Sequence, residues 1–151
     1  MPLTLRQATA ADAAVVVDFN LRLAQESEGK SLDRATLAQG VASVLADPKR
    51  GLYFVAERSG EVVGQVMITT EWSDWRNGWI WWIQSVYVHA DARRGGVFRS
   101  LYEHVARSAE ADPDVVALRL YVERDNQAAQ ATYGRLGMKA TSYLVMERDP
   151  L

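Results

Sequence analysis

The 151-residue chain contains no cysteine. Disulfide bridges, thiolate–zinc sites and a cysteine nucleophile are therefore excluded. Histidine is nearly absent too: His89 and His104 are too few for a multi-histidine centre, so no metal site is expected. Nor is there an excess of one charge. The 17 Lys+Arg against 19 Asp+Glu leave a net −2, which argues against a nucleic-acid partner, since that affinity comes from neutralising phosphates. Long hydrophobic runs are missing as well. The longest stretch free of Asp, Glu, Lys and Arg, residues 77–90, has fourteen residues and includes Asn, Gln, Ser and His, too short and too polar to span a membrane. The start, Met1-Pro2-Leu3-Thr4-Leu5-Arg6, lacks the basic-then-apolar pattern of a signal peptide. These absences leave a soluble, cytoplasmic protein without a membrane partner. What is present is the globular norm, 48% apolar and 24% charged residues. The length suits one core, so a single domain over residues 1–151 is expected.

The hydrophobic pattern predicts an α/β chain with a mixed sheet, ordered β-α-α-β-β-β-α-β-α-β. Residues 3–7 alternate as a strand does. Thr9 caps a helix bearing Val16, Phe19 and Leu23, punctuated by Gly29, and a second helix from Asp33 ends at Asp47-Pro48. Strands over 52–58 and 62–70 are joined across Ser59-Gly60, and a loop over 71–78 closes on Asn77-Gly78 before a strand over 79–88. A helix carrying Val97, Leu101, Val105 and Ala109 follows. The strand over 115–122, apolar on both faces near its centre, reads as interior. A helix over 126–136 with Gly137 at its end and a final strand over 138–147 complete the order.

The segment that carries chemistry is SVYVHADARRGGVFRSL, residues 85–101, where a strand runs into a basic, glycine-containing turn that opens a helix. A helix start presents unpaired N–H groups and about half a positive charge, a ready site for phosphate. Gly95 and Gly96 remove side chains where backbone and ligand would meet, and Arg93, Arg94 and Arg99 place three cations within seven residues. The alternative is a solvated turn whose glycines only satisfy φ. It is neither a P-loop nor a dinucleotide fingerprint, since neither glycine pattern is present.

Arg93-Arg94-Gly95-Gly96-Val97-Phe98 resembles the Q/R-x-x-G-x-G/A motif of the GNAT superfamily of acetyltransferases, with Phe98 standing where Gly or Ala is preferred. LYVERDNQAAQATYGRLGM, residues 120–138, is similar to that superfamily's second motif. The resemblance implies acetyl-CoA as co-substrate, its pyrophosphate gripped by Arg93, Arg94, Gly95, Gly96, Val97 and Phe98. It implies that two strands splay apart, so that the backbone of Val86, Tyr87 and Val88 pairs with the pantetheine arm and polarises the thioester carbonyl. It further implies that Asn126 lines that arm and that the Tyr133 hydroxyl serves the departing thiolate. Helix arithmetic puts Asn126 and Tyr133 within about 20° of one face. Asn126 also suits a plain N-cap, and Tyr133 a core aromatic.

For the acceptor, a primary amine of a small molecule or peptide, the strand over 79–88 offers no Asp or Glu. Glu71 is the first candidate for general base, a role that partial burial of its carboxyl among Trp72, Trp75 and Trp79 would favour, and Asp74 follows; both also suit an exposed loop. Glu26 and Glu28 sit against the dipole of a helix end, which suggests attraction of a cationic amine, with a solvated helix end as the alternative. The five tryptophans suit the core, an acceptor-pocket wall or a homodimer interface, in that order, and both histidines suit the surface. An acetyl-CoA-dependent N-acetyltransferase with direct transfer is the leading expectation. A catalytically silent acyl-CoA-binding or sensing domain is the alternative.

Overall fold

The computed structural model describes residues 2–151. Its elements run β1 (Thr4–Gln7), α1 (Ala13–Glu28), α2 (Arg34–Ala46), β2 (Leu52–Arg58), β3 (Glu61–Ser73), β4 (Gly78–Val88), α3 (Val97–Ala111), β5 (Val115–Leu120) and α4 (Gln127–Arg135). The described residues form two compact units, one up to Leu120 and one from Tyr121 to Leu151.

The first unit is a five-stranded sheet in the order β1-β2-β3-β4-β5, antiparallel except for the parallel β4–β5 pair. Alternation along β2 sends Phe54 and Ala56 to one face and Tyr53 and Val55 to the other, and each face has its own apolar core. One holds Ala56, Val66, Ile68 and Ile83 against Val97, Leu101 and Val105 of α3. The other holds Tyr53 and Val55 against Val16 and Val17 of α1 and Val41 of α2. The four-residue step of α3 is realised in full: Val97, Leu101, Val105 and Ala109 are its buried residues.

Local chemistry sets the ends. Gly29 closes α1 in the left-handed region at φ 63°, and the Asp33 carboxylate accepts from the Thr36 N–H at 2.9 Å at the start of α2. Ser59 and Gly60 both take positive φ, 55° and 79°, as a two-residue hairpin turn requires. The β3–β4 hairpin is longer than the pattern predicts. Glu71 pairs with Ile80, Trp72 with Trp79 and Ser73 with Gly78, so Glu71 lies in a strand and the turn shrinks to residues 74–77. Cross-strand packing of Trp72 on Trp79, ring centroids 5.0 Å apart, favours this extension.

Two expectations about the sheet are corrected. β5 ends at Leu120 and, among the described residues, pairs only with β4, so it is an edge strand and not interior. In the second unit α4 forms where expected, but residues 138–147 make no strand. Tyr143, Leu144, Val145 and Met146 are instead 71–94% exposed. β-propensity alone does not make a strand; a ladder partner does. Among the described residues, no helix is long and apolar enough to cross a membrane.

Candidate functional site

The glycine turn and the end of β4 converge within the first unit. Arg94 adopts φ 67° and Gly96 φ 81°, and this double left-handed turn folds the backbone tightly before α3 starts at Val97. Gly96 is the N-cap and supplies no side-chain acceptor, so the first amides of α3 have no capping partner. A Cβ on Gly96 would meet nothing within 4 Å, which leaves the approach to those amides open. Gly64 on β3 brings the helix down on the sheet: a Cβ there would lie 2.8 Å from Val97 Cγ1 and 3.3 Å from the Tyr87 carbonyl oxygen. Any larger residue at position 64 would push the helix start away from β4. The turn, with its open amides and its cations, fits a pyrophosphate.

Phe98 is half-buried, its ring 6.5 Å from that of Tyr102. The bulky departure from the motif is thus directed along the helix.

The cations at the turn are not equivalent. Arg93 donates through Nε to the Val88 carbonyl at 3.0 Å and through Nη2 to Glu26 Oε1 at 2.5 Å. Glu26 also accepts from the Tyr87 hydroxyl at 2.5 Å. The Tyr87 hydroxyl and then Arg93 hold the Glu26 carboxyl below its ordinary range, while burial, followed by Glu26, pushes the Tyr87 phenol up. Arg99 pairs with Glu103 at 2.8 Å. Arg94 makes no ion pair among the described residues. Sequence reasoning missed Arg58, whose Nη2 donates to the Gly95 carbonyl at 3.4 Å from 37 residues away. At the end of β2 it reads as an ordinary surface charge, and no local signal marks it.

In β4 the ladder is broken where chemistry was expected. Gln65 pairs with Tyr87 but Met67 pairs with Gln84, so Val66 alone faces both Ser85 and Val86. This is a β-bulge, with Ser85 at φ 53°. The parallel ladder to β5 ends at Ile83–Leu120, just before the bulge. Val86, Tyr87 and Val88 therefore belong to the part of β4 beyond the ladder with β5.

The acceptor-side candidates separate. Glu71 is half-exposed, accepts from Trp82 Nε1 at 2.8 Å and lies 4.0 Å from Arg119 Nη1. The expected neighbours are corrected: Glu71 is partly covered by Trp82 and Arg119, whereas Trp72, Trp75 and Trp79 are 48%, 92% and 39% exposed. The core reading therefore fails for these three, whereas Trp81 is partly buried and packs against the α3-side core, and Trp82 is partly buried as well. Asp74 sits in the hairpin turn. Glu28 is exposed, 3.9 Å from Lys30 Nζ. His104 packs edge-on against Phe54 at 4.9 Å and is not a free surface residue.

In the second unit, Asn126 Oδ1 accepts from the Ala129 N–H at 3.0 Å, which realises the N-cap role. Tyr133 is half-buried on α4, and Gly137 follows at φ 94°.

Residues 18–138 match the model of the acetyltransferase (GNAT) family. The chain belongs to that family. A possible acetyltransferase of Clostridium difficile 630 is 41% identical, with a TM-score of 0.95 over 100% of this chain and 99% of that one. A ribosomal-protein-alanine N-acetyltransferase of Brucella melitensis biovar Abortus 2308 shares the fold at 19% identity, TM-score 0.76, over 97% of this chain and 100% of its own. So does a predicted acetyltransferase of Clostridium acetobutylicum, solved with acetyl-CoA, at 16% identity and TM-score 0.79, over 97% and 96% of the two chains. No curated protein matches the chain in sequence. The mixed sheet and its helices are the GNAT fold, which uses acetyl-CoA.

Proposed function

We propose that this GNAT acetyltransferase moves the acetyl group of acetyl-CoA directly to a primary amine of a small molecule or peptide, within one domain over residues 1–151 in the cytoplasm. The observation that carries this reading is the pairing of an uncapped helix start with a bulged strand. The Val97 side chain at the start of α3 and the Tyr87 carbonyl near the end of β4 both lie against Gly64.

Acetyl-CoA supplies an activated thioester and a pyrophosphate handle. The backbone N–H groups at Gly95, Gly96, Val97 and Phe98 bind the pyrophosphate, aided by the helix dipole and by Arg94 and Arg58. Arg93, tied to Val88 and Glu26, anchors the turn to β4 and adds charge to it. An N–H of Val86, Tyr87 or Val88 orients the thioester carbonyl and stabilises negative charge developing on its oxygen, which a fixed backbone donor does without reorganising. In the reading taken from the family motif, Asn126 lines the pantetheine arm and the Tyr133 hydroxyl holds the proton destined for the thiol sulfur. Glu71 is the proposed acceptor of the amine proton, directly or through water. Glu28, Asp74 and Glu26 are the carboxylates on offer to a cationic amine, of which Glu26 is already committed to Arg93 and Tyr87.

One observation favours a second reading, a silent acyl-CoA-binding domain: β4 carries no Asp or Glu. The test is release of CoA from acetyl-CoA across a panel of amines, polyamines, amino acids and peptides, beside calorimetric binding of CoA. Amine-dependent release supports transfer. Tight CoA binding with no release from any amine supports the sensor.

A further inference from the structure

Gln65 is wholly buried on β3, yet only half of its amide is satisfied. Its Nε2 donates to the Ser85 carbonyl at 3.0 Å, while its Oε1 is buried without a hydrogen-bond partner. At a position with no solvent exposure, an unpaired oxygen works against stability, and a leucine or methionine would fill the space without it. Gln65 is therefore poorly explained as a core residue. What it touches explains it better. Ser85 is one of the two residues, with Val86, that stand opposite Val66 in the bulge, and it sits in the left-handed region that a serine rarely adopts. A carbonyl turned out of the ladder needs a donor from elsewhere, and the Gln65 side chain supplies it from the neighbouring strand.

We infer that Gln65 is the positioning residue of the β4 bulge: its bond to the Ser85 carbonyl holds Ser85 in the left-handed conformation and so sets where the N–H groups of Val86, Tyr87 and Val88 point. The inference rests on the acyl-transfer reading for its functional consequence, but the bond acts on the free protein. If the tether is lost, Ser85 can relax toward extended geometry. The backbone groups next to the bulge then re-aim locally, while the bond from the His89 N–H to the Val63 carbonyl keeps the far end of β4 in place. Displacing a transition-state donor by about 1 Å is enough to lower turnover on the order of 10²-fold. The start of α3 is held mainly by Val97, Leu101 and Val105 in the core, and its tie to β4 through Arg93 is at Val88, three residues past Ser85, so pyrophosphate binding is left nearly intact.

The experiment compares wild type, Gln65→Leu, Gln65→Asn (which keeps an amide but retracts it by one methylene) and Gln65→Leu/Ser85→Gly. Three readouts are taken: amide hydrogen exchange over residues 85–88 in the free protein, CoA affinity by calorimetry, and turnover with whichever amine the wild type accepts. Both single variants are expected to fold, to exchange faster at 85–88 and to lose roughly ten- to a hundredfold in kcat. CoA affinity should move by less than about threefold, because the helix-start amides are untouched. Ser85→Gly should restore both exchange and turnover in the Gln65→Leu background, because glycine holds positive φ without a tether. Unchanged exchange in folded Gln65 variants overturns the inference, whether or not the wild type turns over any amine. So does a loss that Ser85→Gly fails to restore, or failure of every Gln65 variant to fold with and without that change, since either makes Gln65 a plain core residue. A wild type that releases no CoA defeats the transfer reading alone and leaves the exchange arm to decide on Gln65.

Discussion

Glu26 Oε1 and Arg93 Nη2 lie 2.5 Å apart, so a carboxylate expected to draw in the amine is the counter-ion of an arginine expected to hold phosphate. Both side chains are nearly half exposed, which limits the pair's strength. Glu26→Gln should free Arg93 and tighten CoA binding by up to about fivefold at low salt, with the gain fading toward physiological ionic strength. Calorimetry at two salt concentrations reads it. A raised amine KM with unchanged CoA affinity would instead return Glu26 to the acceptor side.

Gly96 faces open space at φ 81°, so Gly96→Ala adds backbone strain alone, whereas Gly96→Asp adds a carboxylate facing the helix-start amides. CoA affinity should fall on the order of 10²-fold more in the aspartate variant than in the alanine variant. Equal affinities in two folded variants would remove the pyrophosphate from this turn.

Tyr133→Phe keeps the ring and deletes only the hydroxyl. Acetyl-CoA affinity should hold while kcat drops by about 10²-fold, the low end for general acid catalysis because a thiol already leaves fairly well. Wild-type turnover in this variant would make Tyr133 a packing residue.

Glu71→Gln leaves an oxygen able to accept from Trp82 Nε1, so the local structure should survive. If Glu71 takes the amine proton, kcat/KM falls most near neutral pH and the deficit narrows at high pH, where free amine is abundant. A pH–rate profile parallel to the wild type's assigns deprotonation to water.

Asp12 is a stability prediction. Its nearly buried carboxylate takes two bonds from Arg6, at 2.8 and 2.9 Å, and one from the Thr9 N–H at 2.7 Å, and Arg6 above all holds it below the ordinary aspartate range. Asp12→Asn should destabilise the fold by roughly 2–4 kcal/mol at pH 7. Because the folded group has the depressed pKa, that contribution is complete above the unfolded value of about 3.9 and is lost as pH falls through the folded one. Denaturant melts of both proteins should therefore converge in acid and stay apart at neutral pH.

Much was legible in the sequence because it rests on local rules. The four-residue step of α3, the Ser59-Gly60 hairpin, the start of α2 at Asp33, the Asn126 cap and the Gly96 turn each depend on residues a few positions apart, and each forms as read. The two motifs likewise marked the family, since their glycines, arginines, Asn126 and Tyr133 lie at short spacing. Tertiary structure decided what depends on partners far along the chain. Residues 138–147 have strand propensity but no ladder. Glu71 faces Trp82 and Arg119 in place of the expected indoles, Glu26 finds Arg93 across 67 residues, and Gln65 meets the Ser85 carbonyl across 20. Propensity and capping are written within a turn or two of helix or strand. Which carboxylate neutralises which cation, and which amide holds a bulge open, is set only when the sheet brings distant strands into register.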